Sequence, residues 1–172
     1  FARFGVVISS GKPECDVLVL NPIESVWAQI HMGWARWISS VDEDVRKLER
    51  HYERLFHMLC GNHIDFDYGE EEMMSRHASV EDGVLRVGNA RYKAVVVSGM
   101  ITIRESTLNL LEEFVNHGGK VIFAGDLPEY VDAVESDRVK KLAEKATIIS
   151  FDEKALRDAV KAASEHRVDI ID

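Results

Sequence analysis

The sequence predicts an α/β fold: a doubly wound, mostly parallel sheet with a small inserted β-hairpin. Four short apolar runs end in a polar or glycine-containing tip: Asp16-Val-Leu-Val-Leu-Asn-Pro, His63-Ile-Asp-Phe-Asp-Tyr-Gly, Ala94-Val-Val-Val-Ser-Gly-Met and Lys120-Val-Ile-Phe-Ala-Gly-Asp. Runs of β-branched and apolar residues without alternation suit strands covered on both faces, as in a parallel sheet under helices. Helical stretches separate the runs at about 30 residues per unit, as right-handed strand–helix–strand crossovers require.

The elements follow in order. The first strand leads into Asn21-Pro-Ile-Glu-Ser-Val-Trp27, read as a loop, and an aromatic-rich connection with Trp34 and Trp37. Ser40-Val-Asp-Glu43 has the capping-box pattern of a helix start. Val41, Val45, Leu48, Tyr52, Leu55, Phe56 and Leu59 then form one helical stripe, ended by Gly61. The second strand spans Ile64 to Tyr68, and Gly69-Glu-Glu-Glu-Met-Met opens a short helix. Val84–Val87 and Ala90–Lys93 flank Gly88-Asn89 as a hairpin before the third strand. Ser106 begins a helix with Leu108, Leu111, Phe114 and Val115 inward, and His117-Gly-Gly stops it because glycine accepts the left-handed cap. The fourth strand is Val121 to Ala124. A charged helix near Arg138 to Lys145 precedes a fifth strand, Ala146 to Phe151. Ser150-Phe-Asp-Glu153 is a second capping box, before a stripe of Leu156, Ala159, Val160 and Ala163. A flavodoxin-like strand order is the natural arrangement of these units.

A chain of 172 residues fits one domain that buries roughly two-thirds of its unfolded surface. We divide it into an edge or linker at 1–15, the α/β domain at 16–167 and the start of a following segment at 168–172. Phe1-Ala-Arg-Phe without an initiator Met, and Val168-Asp-Ile-Ile-Asp resembling a strand opening, predict a piece of a longer polypeptide. Localisation is therefore unassigned. A net charge of −9 argues against nucleic acid or anionic membrane as main partner, since basic patches drive both. No apolar stretch approaches the roughly 18 residues that cross a bilayer. Cys15 and Cys60 make neither a disulfide framework nor a metal knuckle.

In open α/β sheets, ligands gather beyond the carboxyl ends of the strands. The expected tips are Asn21, Asp67, Ser98 and Asp126. Ser98 follows a strand, as an elbow nucleophile would, but the surrounding Gly-x-Ser-x-Gly pattern is missing, and a turn residue is expected. No phosphate-binding glycine loop occurs, and no cofactor is expected. His51 and His57 lie six apart, on different helix faces, and no His-Glu-x-x-His motif exists, so no metal is expected. Glu24, Asp65, Asp67, Glu70, Glu71, Glu72 and Asp126 could supply paired carboxylates of the kind that cleave glycosides, although the Glu70–Glu72 run also suits a helix amino terminus. Trp27, Trp34 and Trp37 suit sugar stacking, core packing or an interface. The expectation is a rim with no hydroxyl or thiol beside an imidazole.

Leu18-Val-Leu-Asn-Pro-Ile-Glu-Ser-Val-Trp27, Ile64-Asp-Phe-Asp-Tyr-Gly-Glu-Glu, the Asp82-Gly-Val-Leu-Arg-Val-Gly…Tyr92 ribbon and Gly118-Gly-Lys-Val-Ile-Phe-Ala-Gly resemble strings in large bacterial glycoside hydrolases. The resemblance, over about Asp16 to Leu127, is to α-L-rhamnosidase-like enzymes, in which a class I glutamine amidotransferase-like domain follows a (β/α)8 barrel and precedes β-sandwiches. The similar domain of some β-galactosidases helps build a trimer. No Cys stands at a strand tip after Cys60, so glutamine hydrolysis is not carried over. The resemblance implies a non-catalytic domain that packs on the barrel or sandwich, supports a homo-oligomer, or shapes a sugar pocket through Asn21, Glu24, Trp27, Asp67, Ser98 and Asp126. A free-standing hydrolase using Ser98 or an acidic pair, and a small-molecule or carbohydrate binder, remain the alternatives.

Overall fold

A computed structural model describes residues 2–10, 14–29, 35–36, 39–40 and 43–164. Its centre is a five-stranded sheet of β1 (Val17–Leu20), β2 (Asp67–Gly69), β3 (Ala94–Ser98), β4 (Lys120–Ala124) and β5 (Thr147–Ile149). Every pairing is parallel, in the order β5-β4-β3-β1-β2. All five predicted strands are present, β2 and β5 shorter than expected.

Seven helices accompany the sheet among the described residues: α1 (Ala2–Ser9), α2 (Ile23–Gln29), α3 (Glu43–Gly61), α4 (Glu71–His77), α5 (Glu105–Asn116), α6 (Arg138–Ala143) and α7 (Glu153–Ala163). Because successive strand side chains point to opposite faces, each of the three inner strands β1, β3 and β4 serves two cores. Val17, Val19, Ala94, Val96, Ile122 and Ala124 pack with Leu55, Met58 and Leu59 of α3 and Leu156 and Val160 of α7. Leu18, Leu20, Val95, Val97, Val121 and Phe123 pack with Met74 of α4, Leu108, Leu111 and Phe114 of α5, and Val139 and Leu142 of α6. Each large core side chain contributes about 1.5–3 kcal/mol by leaving water, which explains the unbroken apolar runs.

Local details depart from the reading in five places. The Asn21–Trp27 segment is helical from Ile23, with Pro22 just ahead of α2, where its fixed φ and missing amide suit a helix start. On α3 the inward residues are Val45, Leu55, Met58 and Leu59, while Phe56 is largely exposed. The inserted ribbon has three strands, Ala78–Glu81, Val84–Val87 and Ala90–Tyr92, and Asp82 and Gly83 turn between the first two at φ 50° and 74°. Asp152, not Ser150, caps α7, accepting from the Ala155 amide at 2.9 Å. A further small sheet, Thr102–Ile103, Tyr130–Val131 and Val134–Glu135, follows β3 and β4. The predicted stop of α5 is present: Gly118 takes φ 92°, and the Gly119 amide returns to Phe114 O at 2.9 Å. Val41, Trp34, Trp37, His31, His166 and 168–172 lie outside the described residues, as does the Ser40 side chain.

Candidate functional site

Chain order along the sheet reverses between β1 and β3, so the crevice beyond their carboxyl ends is where an open α/β sheet takes a ligand. Here α2 fills it. Ser25 is fully buried; its Oγ accepts the Ile101 amide at 2.8 Å and the Thr102 amide at 3.1 Å, and donates to Thr102 O at 3.2 Å. One residue back, Glu24 Oε1 takes Nε of Arg104 at 2.6 Å and Nη2 at 2.5 Å. The next backbone donors are also taken: the Arg104 amide donates to Glu71 Oε2 at 2.8 Å and the Glu105 amide to Asp132 Oδ1 at 3.1 Å. Asp132 and Ala133 turn at φ 48° and 62°, a region that side chains with a Cβ enter at a cost. The Ala133 amide donates to Thr102 Oγ1 at 3.0 Å, so this turn is held against the same segment.

Glu71 is the unusual carboxylate. It is fully buried, and its Oε1 and the neighbouring Thr107 Oγ1 have no hydrogen-bond partner among the described residues. Burial raises its pKa from the ordinary carboxylate value, while the Arg104 amide opposes that and the Glu24 charge adds to it. Its neighbours in the acidic run behave as helix-start residues. Glu70 caps α4, accepting from the amides of Glu72 at 3.0 Å and Met73 at 2.8 Å, and Glu72 pairs with Arg76.

The next gap lies between the tips of β3 and β4. Ser98 is 2% exposed. Its Oγ stands 2.8 Å from Nε2 of His51 and 2.6 Å from Ala124 O. The expectation of a rim without a hydroxyl beside an imidazole is thus corrected. An O···O separation of 2.6 Å requires a hydrogen between the atoms, so the Ser98 hydroxyl donates to Ala124 O. His51 Nε2–H must then donate to Ser98 Oγ, the opposite of the role a general base plays toward a nucleophile. The imidazole stacks on Phe151 at 3.7 Å between centroids and 15° between planes, with the Arg54 guanidinium 5.2 Å from the Phe151 centroid. Burial holds the His51 pKa below its ordinary value; Asp126 raises it, and Arg54 adds to the lowering. Gly99, at φ 65°, has no room for a Cβ, which would meet His51 Cδ2 at 2.5 Å.

The remaining candidates scatter. Asn21 sits at the β1 tip, its amide on Gly69 O at 2.9 Å. Trp27 is 54% exposed on α2. Asp126 is exposed at the β4 tip. Asp67 opens β2 instead of closing it and accepts the Tyr92 hydroxyl at 3.0 Å. It faces Cys15, ahead of β1, whose thiol is pushed up to about 11 by burial, with Asp67 and Asp65 adding to the shift. The structure therefore groups Glu24 with Arg104, and Ser98 with Asp126 through His51, and leaves Asp67 toward the opposite edge. Sequence reasoning missed His51, Ser25, Arg104 and Asp132. The signal for His51 is its spacing, four before Leu55 and seven before Met58 on the inward face; Ser25, Arg104 and Asp132 carry none. Among the described residues no group of three or more His, Cys, Asp or Glu is placed to hold a metal, and no helix is long and apolar enough to cross a membrane.

Against family models and curated proteins, the sequence has no match. Among solved structures, the chain is similar to Gan42B, a GH42 beta-galactosidase, at 21% identity and a TM-score of 0.36. The likeness covers 66% of this chain and 14% of that one, so this chain spans a small part of that protein's length.

Proposed function

We propose that the chain is a non-catalytic, amidotransferase-like α/β domain of a multidomain glycoside hydrolase, serving domain packing, oligomerisation or the shaping of a sugar pocket. The observation that carries the non-catalytic part is the hydrogen of Ser98, committed to Ala124 O at 2.6 Å inside a buried site. The sequence strings from Asp16 to Leu127 support the parentage. The order β2-β1-β3-β4-β5 is that of flavodoxin-like sheets and supports the finer fold assignment. The partners are the barrel and β-sandwich of the same polypeptide, a second copy, and carbohydrate. Trp27 offers an open indole for a ring face, beside the Glu24–Arg104 pair as a source of polar contacts. In the longer polypeptide, Trp27→Ala with Glu24→Ala is expected to raise KM for the glycoside at least severalfold, with the melting temperature of this domain little changed. Full rate and affinity in that variant would end the sugar-pocket role.

A second reading, a free-standing hydrolase using Ser98, is favoured by the 2.8 Å approach of His51. Incubation of the 172-residue chain with aryl esters and aryl glycosides separates the two. The scaffold reading expects no turnover. Turnover lost in Ser98→Ala would replace it.

A further inference from the structure

We propose that α2 is a built-in plug over a latent oxyanion-binding site at the β1/β3 crevice, with Ser25 and Glu24 standing in for the oxygens of a phosphate or carboxylate. Two successive backbone amides, Ile101 and Thr102, converge on one oxygen atom, Ser25 Oγ. Consecutive amides converging in this way form the concave donor set that recognises anions. The Arg104 guanidinium, three residues from Ile101, engages one carboxylate oxygen through two nitrogens, and guanidinium groups are well suited to phosphate and carboxylate. All three donors are therefore satisfied by two adjacent residues of a single seven-residue helix. The Glu24 carboxylate balances the Arg104 charge across the contact.

A short helix holding such donors is displaceable in a way that a strand inside the sheet is not. Local opening of surface elements costs less than global unfolding. A ligand that binds the opened form shifts that equilibrium in proportion to 1 + [L]/Kd. The site is a binding site and not a reaction centre, which accords with the scaffold reading. The binding measurement stands whether or not a longer polypeptide cleaves sugars.

Inorganic phosphate is the probe. In the 172-residue chain carrying Glu24→Gln and Ser25→Gly, nuclear magnetic resonance is expected to show phosphate shifting the Ile101 and Thr102 amides at millimolar concentration. Binding should be at least tenfold tighter than in the unaltered chain, with chloride at matched ionic strength inert. A folded double variant whose two amides do not move up to about 50 mM phosphate, or move equally in chloride, overturns the proposal. Should the double variant fail to fold, the unaltered chain decides through hydrogen exchange of the Val26 amide, which donates to Pro22 O within α2. Phosphate at about ten times the open-state Kd should speed that exchange about tenfold. No phosphate dependence overturns the plug.

Discussion

The two neighbouring gaps of the rim are closed by different means. Between β1 and β3, a helix from the same chain delivers a hydroxyl to two amides and a carboxylate to an arginine, and Ser25 is sealed from water. Between β3 and β4, a serine hydroxyl bridges a carbonyl and an imidazole beneath an aromatic stack. The first gap stores its polar groups in complementary pairs of opposite character. The second stores them around a titratable ring only partly removed from solvent. Both gaps lie where an α/β sheet keeps its chemistry, and each holds one group moved from its ordinary pKa by burial, Glu71 upward beside the first and His51 downward in the second.

The largest effect expected from breaking this contrast is at Ser25. Ser25→Ala leaves the buried Thr102 amide and the part-buried Ile101 amide without an acceptor, at about 1–3 kcal/mol for each donor left buried and unsatisfied. Urea unfolding should show a loss of about 2–5 kcal/mol with an unchanged slope. A loss below about 1 kcal/mol would mean that water reaches these amides. Next comes Ser98→Ala, which strips one hydrogen bond from Ala124 O and one from His51. A loss of about 1–3 kcal/mol is expected, read by the same unfolding curves.

Glu71→Gln sharpens the first gap through pH. The folded-state pKa of Glu71 is raised from an ordinary 4.5, so in that window the folded protein binds more protons than the unfolded chain. Its contribution is fully present below pH 4.5 and is lost as pH rises through the folded value. The urea midpoint of the unaltered chain should therefore fall relative to Glu71→Gln as pH rises above 4.5. Parallel pH profiles would place Glu71 in contact with water. His51 sharpens the second gap with the opposite sign. Its depressed folded pKa means that its stabilisation is present above pH 6.5 and lost as pH falls through the folded value. Resonance titration of the imidazole should give a midpoint below 6.5, moving up when Phe151→Ala admits water. Smallest is Glu24→Gln. Its pair with Arg104 is only partly buried, so less than about 1 kcal/mol is expected.

Much of the fold was legible because burial on both faces writes itself into a strand as a continuous apolar run. Val17–Leu20, Ala94–Ser98 and Val121–Ala124 admit little else. Helix stops and hairpins were legible where a backbone angle demands a residue type, as at Gly118 and Gly88. Asp132 and Ala133 adopt the same region without glycine, so their hairpin gave no warning. Ser150 and Asp152 both suit a helix cap, and only the direction of the chain leaving β5 selects Asp152.

The sequence alone determined the α/β alternation, the strand cores and the absence of a cysteine at the later strand tips, because periodicity and residue identity are local properties. Tertiary structure alone decided that Ser98 meets His51 across 47 positions and that Ser25 meets Ile101 and Thr102 across 76 and 77. Hydrogen bonds between distant segments depend on the relative placement of helices over a sheet, and no spacing along the chain encodes that placement.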